Sequence, residues 1–271
     1  MKQKLLFFMV LALFSTGLAA QTANSVKAKP GIVAHRGFHN FGNSAENSIS
    51  AMQHAVAHDF EGTEFDVQLT SDGATILFHD HVMQDLIIYE TPLETLQKQQ
   101  AFTLKSGEKV PTLDAFLAAC RQALLEQQPR KKHTQLFFEI KSPGSSLQRH
   151  HLIGQIIEAI GKYQLHGDIF FISFDLEICM MMAKLMPDVP VAYLGSTMPP
   201  KELHAKGVSN IDYHWQYLLD HPDWVTDAHK LGMTVNAWTI NDKETALKML
   251  DLGVDYITTD EPLKMREWIG L

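Results

Sequence analysis

The sequence predicts an α/β fold: a (β/α)8 TIM barrel with a small hairpin insertion after its second strand. Three observations carry this prediction. Short runs rich in Val, Ile, Phe and Tyr recur along the chain, and stretches with helical period separate most of them. Such alternation requires parallel strands joined by helical crossovers. One junction differs: only Thr70-Ser71-Asp72-Gly73 separates two strand candidates, and an Asp-Gly pair there marks a tight antiparallel hairpin. No linker, low-complexity tract or fixed-period repeat interrupts residues 28–271, which read as one domain. A doubly wound open sheet is the competing architecture, but no Gly-x-Gly-x-x-Gly turn follows any strand candidate.

The chain begins with Lys2 and Lys4, a short apolar run over 5–14, and mostly small residues up to Ala20. This reads as a secretory signal peptide over 1–20, with cleavage after Ala19 or Ala20. An uncleaved anchor is the alternative, although the apolar run is short for a bilayer span. Residue 21 is Gln, so the lipoprotein route lacks its cysteine. Export predicts a periplasmic or secreted protein with no stable membrane insertion after cleavage.

Strand candidates follow at 31–36, 62–69, 74–78, 135–140, 169–174, 190–194, 210–214, 233–239 and 254–258. The clearest helices are 48–59, 112–125, 147–163, 176–185, 222–231 and 242–252. Asn47-Ser48, Pro111-Thr112 and Asn241-Asp242 supply helix starts, and Gly232 and Gly253 supply stops. Nine strand candidates resolve as eight barrel strands plus one hairpin return.

Net charge excludes one class of partner. The chain carries −8, and loss of two lysines with residues 1–20 makes it −10. Nucleic-acid binding is not expected, because phosphate backbones reward clustered Lys and Arg. A single phosphate can still be held where a few cations converge. Cys120 and Cys179, the only cysteines, lie in apolar helical stretches and read as buried free thiols.

Polar residues at the C-terminal ends of barrel strands are the place to seek function. The first strand ends in Ala34-His35-Arg36-Gly37. In the second, Glu64 and Asp66 share one face while Phe65 takes the other, so both carboxylates point into the barrel rim. Two acids so close require a cation between them or a shared proton, and a hard divalent ion with oxygen ligands is the simplest solution. A solvated strand end is the bland alternative. The hairpin folds residues 78–80 back beside 64–66, which brings His79 to the two acids. Glu139 and Lys141 share a face at another strand end, adding a third carboxylate and a cation. Taken alone, that pair could simply bond to itself. Together the charges suit a phosphodiester, with one histidine to deprotonate a nucleophile and the other to protonate a leaving alkoxide.

At these residues the chain resembles the glycerophosphodiester phosphodiesterase family. Beyond Ala34-His35-Arg36-Gly37, the matching segments include Glu46-Asn47, Glu64-Phe65-Asp66-Val67, Thr70-Ser71-Asp72-Gly73, Phe78-His79-Asp80, Phe138-Glu139-Ile140-Lys141, Asn236-Ala237-Trp238-Thr239 and Thr259-Asp260-Glu261-Pro262. They run in the family's order over nearly all of the chain after residue 20. The resemblance implies hydrolysis of glycerophosphodiesters to an alcohol and sn-glycerol 3-phosphate. It makes His35 and His79 the acid–base pair. It makes Glu64, Asp66 and Glu139 ligands of one divalent metal ion, Ca²⁺ or Mg²⁺. Arg36 and Lys141 become phosphate contacts, and Trp238 an apolar wall for the glycerol side. The substrate's own neighbouring hydroxyl is the implied nucleophile, through a cyclic phosphate that water then opens.

Two departures concern the pocket walls. Ala45-Glu46-Asn47-Ser48 stands where the family usually has Pro-Glu-Asn-Thr. After Asp80 the chain has His81-Val82-Met83-Gln84-Asp85-Leu86 and a short path to Pro111, where the family has a basic, longer insertion. Other head groups, such as glycerophosphoinositol or a cell-wall polyol phosphate, therefore stand as an alternative substrate. A barrel that captures phosphodiesters without cleaving them is a second alternative. His39 and His214, near strand ends, are left outside the expected site.

Overall fold

The computed structural model describes residues 28–127 and 133–271. The signal segment predicted over 1–20 lies outside the described residues. The strands are β1 (Gly31–Ala34), β2 (Gly62–Leu69), β3 (Thr75–Leu77), β4 (Val82–Met83), β5 (Leu86–Ile87), β6 (Gln135–Ile140), β7 (Ile169–Ser173), β8 (Val191–Tyr193), β9 (Asn210–His214), β10 (Val235–Trp238) and β11 (Tyr256–Thr259). Eight of them pair in parallel in the order β1-β2-β6-β7-β8-β9-β10-β11, and β11 returns to β1, closing the barrel.

Alternation along each strand divides the apolar residues between two cores. Val33, Phe137, Phe170, Ile172, Ala192 and Leu194 fill the barrel interior. Phe137 and Phe170 stack there with centroids 4.6 Å apart. Ile32, Phe65, Phe138 and Phe171 point outward and bury against the surrounding helices. Phe65 meets Phe116 at 4.6 Å and Phe138 at 4.9 Å, as the strand pattern predicts. Its neighbours Glu64 and Asp66 therefore face inward. The same logic turns Phe138 out and Glu139 in on β6.

The helix starts expected from the sequence are real caps. Ser48, Thr112 and Asp242 accept hydrogen bonds from the backbone N–H groups of Ala51, Ala115 and Thr245, each worth ~1 kcal/mol. Gly253 ends the helix Lys243–Leu252 at φ 85°, a left-handed position that glycine occupies without a Cβ clash. Among the described residues, four α-helices lie beyond the predicted set: Leu93–Gln97, Pro200–Ala205, Trp215–Asp220 and Pro262–Ile269. Each spans about two turns or fewer, too little for an apolar period to declare itself. Cys120 and Cys179 are free and buried.

The hairpin forms as expected. β3 runs antiparallel to β2 with Val67 opposite Leu77, and the Phe78 N–H donates to the Asp66 carbonyl at 3.1 Å. Beyond it the chain builds a lobe with its own core of Ile76, Met83, Ile88, Leu96, Phe102 and Val110. The Asp72 carboxylate ties the turn to this lobe by accepting from Thr70 Oγ1 at 2.5 Å and from the Leu93 N–H at 3.1 Å.

Candidate active site

All eight sequence-predicted site residues lie at the C-terminal end of the barrel. His35, Arg36, Glu64, His79, Glu139 and Trp238 line one cavity, together with Ile172, Phe174, Leu194, Asp212, Thr239 and Thr258. Lys141 and Asp66 lie against it, linked by an ion pair of 2.8 Å.

The chain leaves β1 through a turn built for close approach. Arg36 adopts φ 52° and Gly37 φ 80°. The Arg36 N–H then points inward and donates to Glu64 Oε2 at 2.8 Å. At Gly37 a Cβ would stand 2.7 Å from the Ala51 Cβ and 2.8 Å from its carbonyl carbon, on the helix Ile49–Ala57. Gly37→Ala should therefore destabilise the protein by roughly 2–4 kcal/mol, combining left-handed backbone strain with overpacking. An unchanged denaturation midpoint would refute that reading of the turn.

Glu64, Asp66 and Glu139 converge as predicted. Parallel pairing of β2 with β6 sets Asp66 opposite Glu139. Each of the three offers an oxygen within 4.8 Å of the others, and all are buried. Glu64 Oε1 is buried and accepts no hydrogen bond. Burial, with the neighbouring Asp66 and Glu139 charges, drives the Glu64 carboxyl well above its usual range. Burial and Asp66 likewise push Glu139 up to about 8, against the opposing pull of Lys141. Burial opposes ionisation of Asp66 too, but Lys141, His79 and the Asn47 amide hold it below the usual range. Three buried carboxylates with an orphaned oxygen fit a hard cation bound through oxygen.

Lys141 bridges this cluster, with Nζ 2.8 Å from Asp66 Oδ1 and 2.6 Å from Glu139 Oε1. The sequence expectation placed it on substrate phosphate; the structure ties it first to the acids. Arg36 is similarly engaged. Its NH1 pairs with Glu46 at 2.7 Å and its Nε stands 3.9 Å from Asp66. Burial disfavours the guanidinium charge, but Glu46 and Asp66 more than restore it.

The two histidines differ in setting. His35 Nδ1 lies 2.7 Å from Asp260 Oδ1. Burial opposes the Asp260 charge, but His35, His39 and Asn241 hold it far below the usual carboxylate range. An ionised carboxylate only accepts, so His35 Nδ1 donates and Nε2 is left to face the cavity. That Nε2 is 3.9 Å from Glu64 Oε2. His79 is more exposed, and its Nδ1 pairs with Asp80 at 2.6 Å. Burial lowers its basicity, with Asp66 acting in the opposite direction. His79 lines the central cavity and two others that open outward.

Trp238 forms a wall. Its Nε1 donates to the Asp212 carbonyl at 2.9 Å. Its ring meets Phe174 edge-on at 5.5 Å and His214 at 5.3 Å. His214 thus backs the wall, while His39 joins the Asp260 carboxylate at 3.2 Å.

Sequence reasoning gave no role to several residues that matter here. Asp260 orients His35 from 225 positions away. Asn47 does more than precede a helix: its Nδ2 donates to Asp66 Oδ2 at 2.8 Å and its Oδ1 accepts the Asp66 N–H at 2.9 Å. Glu46 holds Arg36. All three sit in segments that carried the family resemblance, which was the available signal. Asp212 had none.

A sequence model of the glycerophosphoryl diester phosphodiesterase family matches residues 35–264. The chain belongs to this family. A glycerophosphodiester phosphodiesterase family relative, a putative enzyme of that name from Bacillus subtilis, is 27% identical over 246 residues, covering 85% of this chain and 94% of the relative. A glycerophosphodiester phosphodiesterase from Caldanaerobacter subterraneus is also 27% identical, with the same coverage. Among solved structures, a glycerophosphodiester phosphodiesterase from Parabacteroides distasonis superimposes with TM-score 0.83 at 33% identity, over 90% of this chain and 98% of its own. A phosphodiesterase from Oleispira antarctica, solved in complex with the product sn-glycerol-3-phosphate, matches with TM-score 0.74 at 25% identity, over 90% and 98%. The barrel is thus the fold of this family.

Proposed function

We propose that this protein hydrolyses glycerophosphodiesters to an alcohol and sn-glycerol 3-phosphate. The observation that carries the reading is the meeting of a buried acidic triad, two differently held histidines and two cations at one barrel mouth. Family membership and the product-bound Oleispira relative support the same substrate class.

Glu64, Asp66 and Glu139 would hold one divalent cation, Ca²⁺ or Mg²⁺, which supplies Lewis-acid stabilisation of the phosphoryl oxygens. Arg36 and Lys141 add positive charge beside them. His35, with Nδ1 committed to Asp260, takes the proton from the substrate's neighbouring hydroxyl at Nε2. That oxygen bonds to phosphorus, the bond to the alcohol oxygen breaks, and His79 protonates the departing alkoxide. The cyclic phosphate is opened by water: His79 takes the water proton, and His35 returns its proton to the glycerol oxygen. Asp260 keeps the His35 ring oriented and stabilises its cationic form. Trp238 excludes water from the glycerol side.

The leaving alcohol projects towards the outward cavities that share His79. One is lined by Phe78, Ala101, Thr103, Leu104 and Lys105 of the insertion lobe. That lobe motivates the second reading, a different head group such as glycerophosphoinositol or a cell-wall polyol phosphate. The signal-like sequence over 1–20 supports export, so the activity would act in the periplasm or outside the cell. The test is release of sn-glycerol 3-phosphate from a panel of diesters, glycerophosphocholine and glycerophosphoethanolamine among them, with Ca²⁺ and with Mg²⁺. Turnover of the glycerol diesters is expected. Tight binding of them without product after long incubation would instead favour a capture protein.

A further inference from the structure

Asp212 is the one carboxylate in the central cavity that the proposed chemistry leaves unused. It sits on β9, opposite Asn236 of β10, and faces the barrel interior. Its side chain is 1% exposed, and its Oδ1 accepts no hydrogen bond. Burial pushes its carboxyl up to about 7, with the Asn236 amide as the one opposing partner. Asn236 is itself held, donating from Nδ2 to Thr258 Oγ1 at 2.8 Å, while its own Oδ1 is buried without a partner. The surrounding wall is apolar: Ile172, Phe174, Leu194 and Trp238. A buried carboxylate oxygen with no protein partner in such a wall is costly unless a group in the cavity donates to it.

The cavity's two ends indicate what that is, granted the glycerophosphodiesterase reading on which this step rests. β2 and β6 carry Glu64 and Glu139, with His35 and Arg36 following β1 beside them, and β9 with Asp212 stands across the eight-strand ring from these strands. His35 lines this cavity and neither of the two outward ones that His79 also lines. The group whose hydroxyl His35 deprotonates is the glycerol half, so the glycerol enters here and the alcohol lies outside. With the phosphate at the acids and the middle hydroxyl at His35, the remaining terminal hydroxyl is directed at the far wall. At about 120 Å³ the cavity has room for a three-carbon polyol. We infer that Asp212 receives the terminal hydroxyl of the glycerol half and thereby selects diesters in which that hydroxyl is free. Asp212 is a specificity residue: it touches substrate but takes no part in proton transfer.

The test pairs two substrates with three proteins. Glycerophosphocholine is compared with its analogue lacking only the terminal hydroxyl, a propane-1,2-diol phosphocholine that keeps the reacting hydroxyl. In the wild-type protein, loss of that hydroxyl should lower kcat/KM on the order of 100-fold, as expected when a buried acceptor is left unpaired. In Asp212→Leu the two substrates should converge to within about twofold, the limit of independent effects. Asp212→Asn, which keeps an acceptor oxygen, should restore part of the discrimination. Equal turnover of both substrates by wild type overturns the inference while leaving the diesterase reading intact. So does a variant that slows both substrates alike, the mark of a merely structural residue. Discrimination that follows the head group instead of the glycerol would place the alcohol in this cavity and also overturn it. If no diester is cleaved, the diesterase reading fails separately. The subsite is then decided by calorimetry with sn-glycerol 3-phosphate and propane-1,2-diol 1-phosphate, where equal affinities overturn it.

Discussion

The double substitution His35→Ala/His79→Ala should lower kcat/KM for glycerophosphocholine by about 10⁴-fold or more, since one positioned acid or base contributes about 10²–10⁴-fold. The two single variants should not sum to the double, because both histidines act as acid and base in the same two steps and work as a unit. His35 carries an additional signature. Its Nδ1 is bound by Asp260, which His39 and Asn241 also hold. Asp260→Asn removes the charge that steadies the His35 cation and lets the ring adopt the wrong tautomer. It should lower kcat with little change in KM, and it should do so in the His79→Ala background as well. Asp80 stands in the same relation to His79 but is exposed, so water screens its charge and its replacement should matter less. Full activity in the double histidine variant would exclude this proton path outright.

Chelation should have an effect of similar size. EDTA is expected to reduce activity to background, and Ca²⁺ or Mg²⁺ to restore it. Glu64→Gln should be inactive at any metal concentration. The physical reason lies in the three acids. Burial and mutual repulsion drive Glu64 and Glu139 towards their protonated forms, and Lys141 neutralises only part of the cluster. A divalent cation would supply the missing charge. Because it binds only where the two strands β2 and β6 are assembled, it should also stabilise the fold, by about 2.7 kcal/mol at a hundred times its dissociation constant. A thermal melt gives this readout without turnover. Ca²⁺ that raises the melting temperature of wild type but not of Glu64→Gln locates the ion. A shift retained in Glu64→Gln would place it elsewhere. Activity that survives exhaustive chelation would remove the ion from the chemistry.

Much of this was legible in the chain. The alternation of apolar strands and amphipathic helices specified parallel pairing, and Asp72-Gly73 specified the one antiparallel return. That turn alone brings residues 78–80 back beside 64–66, and in the structure the Phe78 N–H donates to the Asp66 carbonyl. Period two along β2 and β6 told which side chains face inward, so the sequence itself places Glu64, Asp66 and Glu139 on the interior face. These are local rules, acting over a few residues, and a sequence states them directly.

What only the tertiary structure decided depends on closure of the barrel. Pairing of β1 with β11 brings His35 to Asp260, and pairing of β9 with β10 places Asp212 and Asn236 in one interior wall. No periodicity encodes contacts over such separations. The attachment of Lys141 and Arg36 to the acids was equally hidden, because each long side chain reaches several partners and the field of the assembled pocket selects among them. Short helices such as Trp215–Asp220 owe their form to packing more than to propensity. The sequence by itself determined the barrel, its hairpin and the residues that carry charge to its mouth. The closed barrel decided which of those charges pair, and which buried oxygen was left free to meet a substrate.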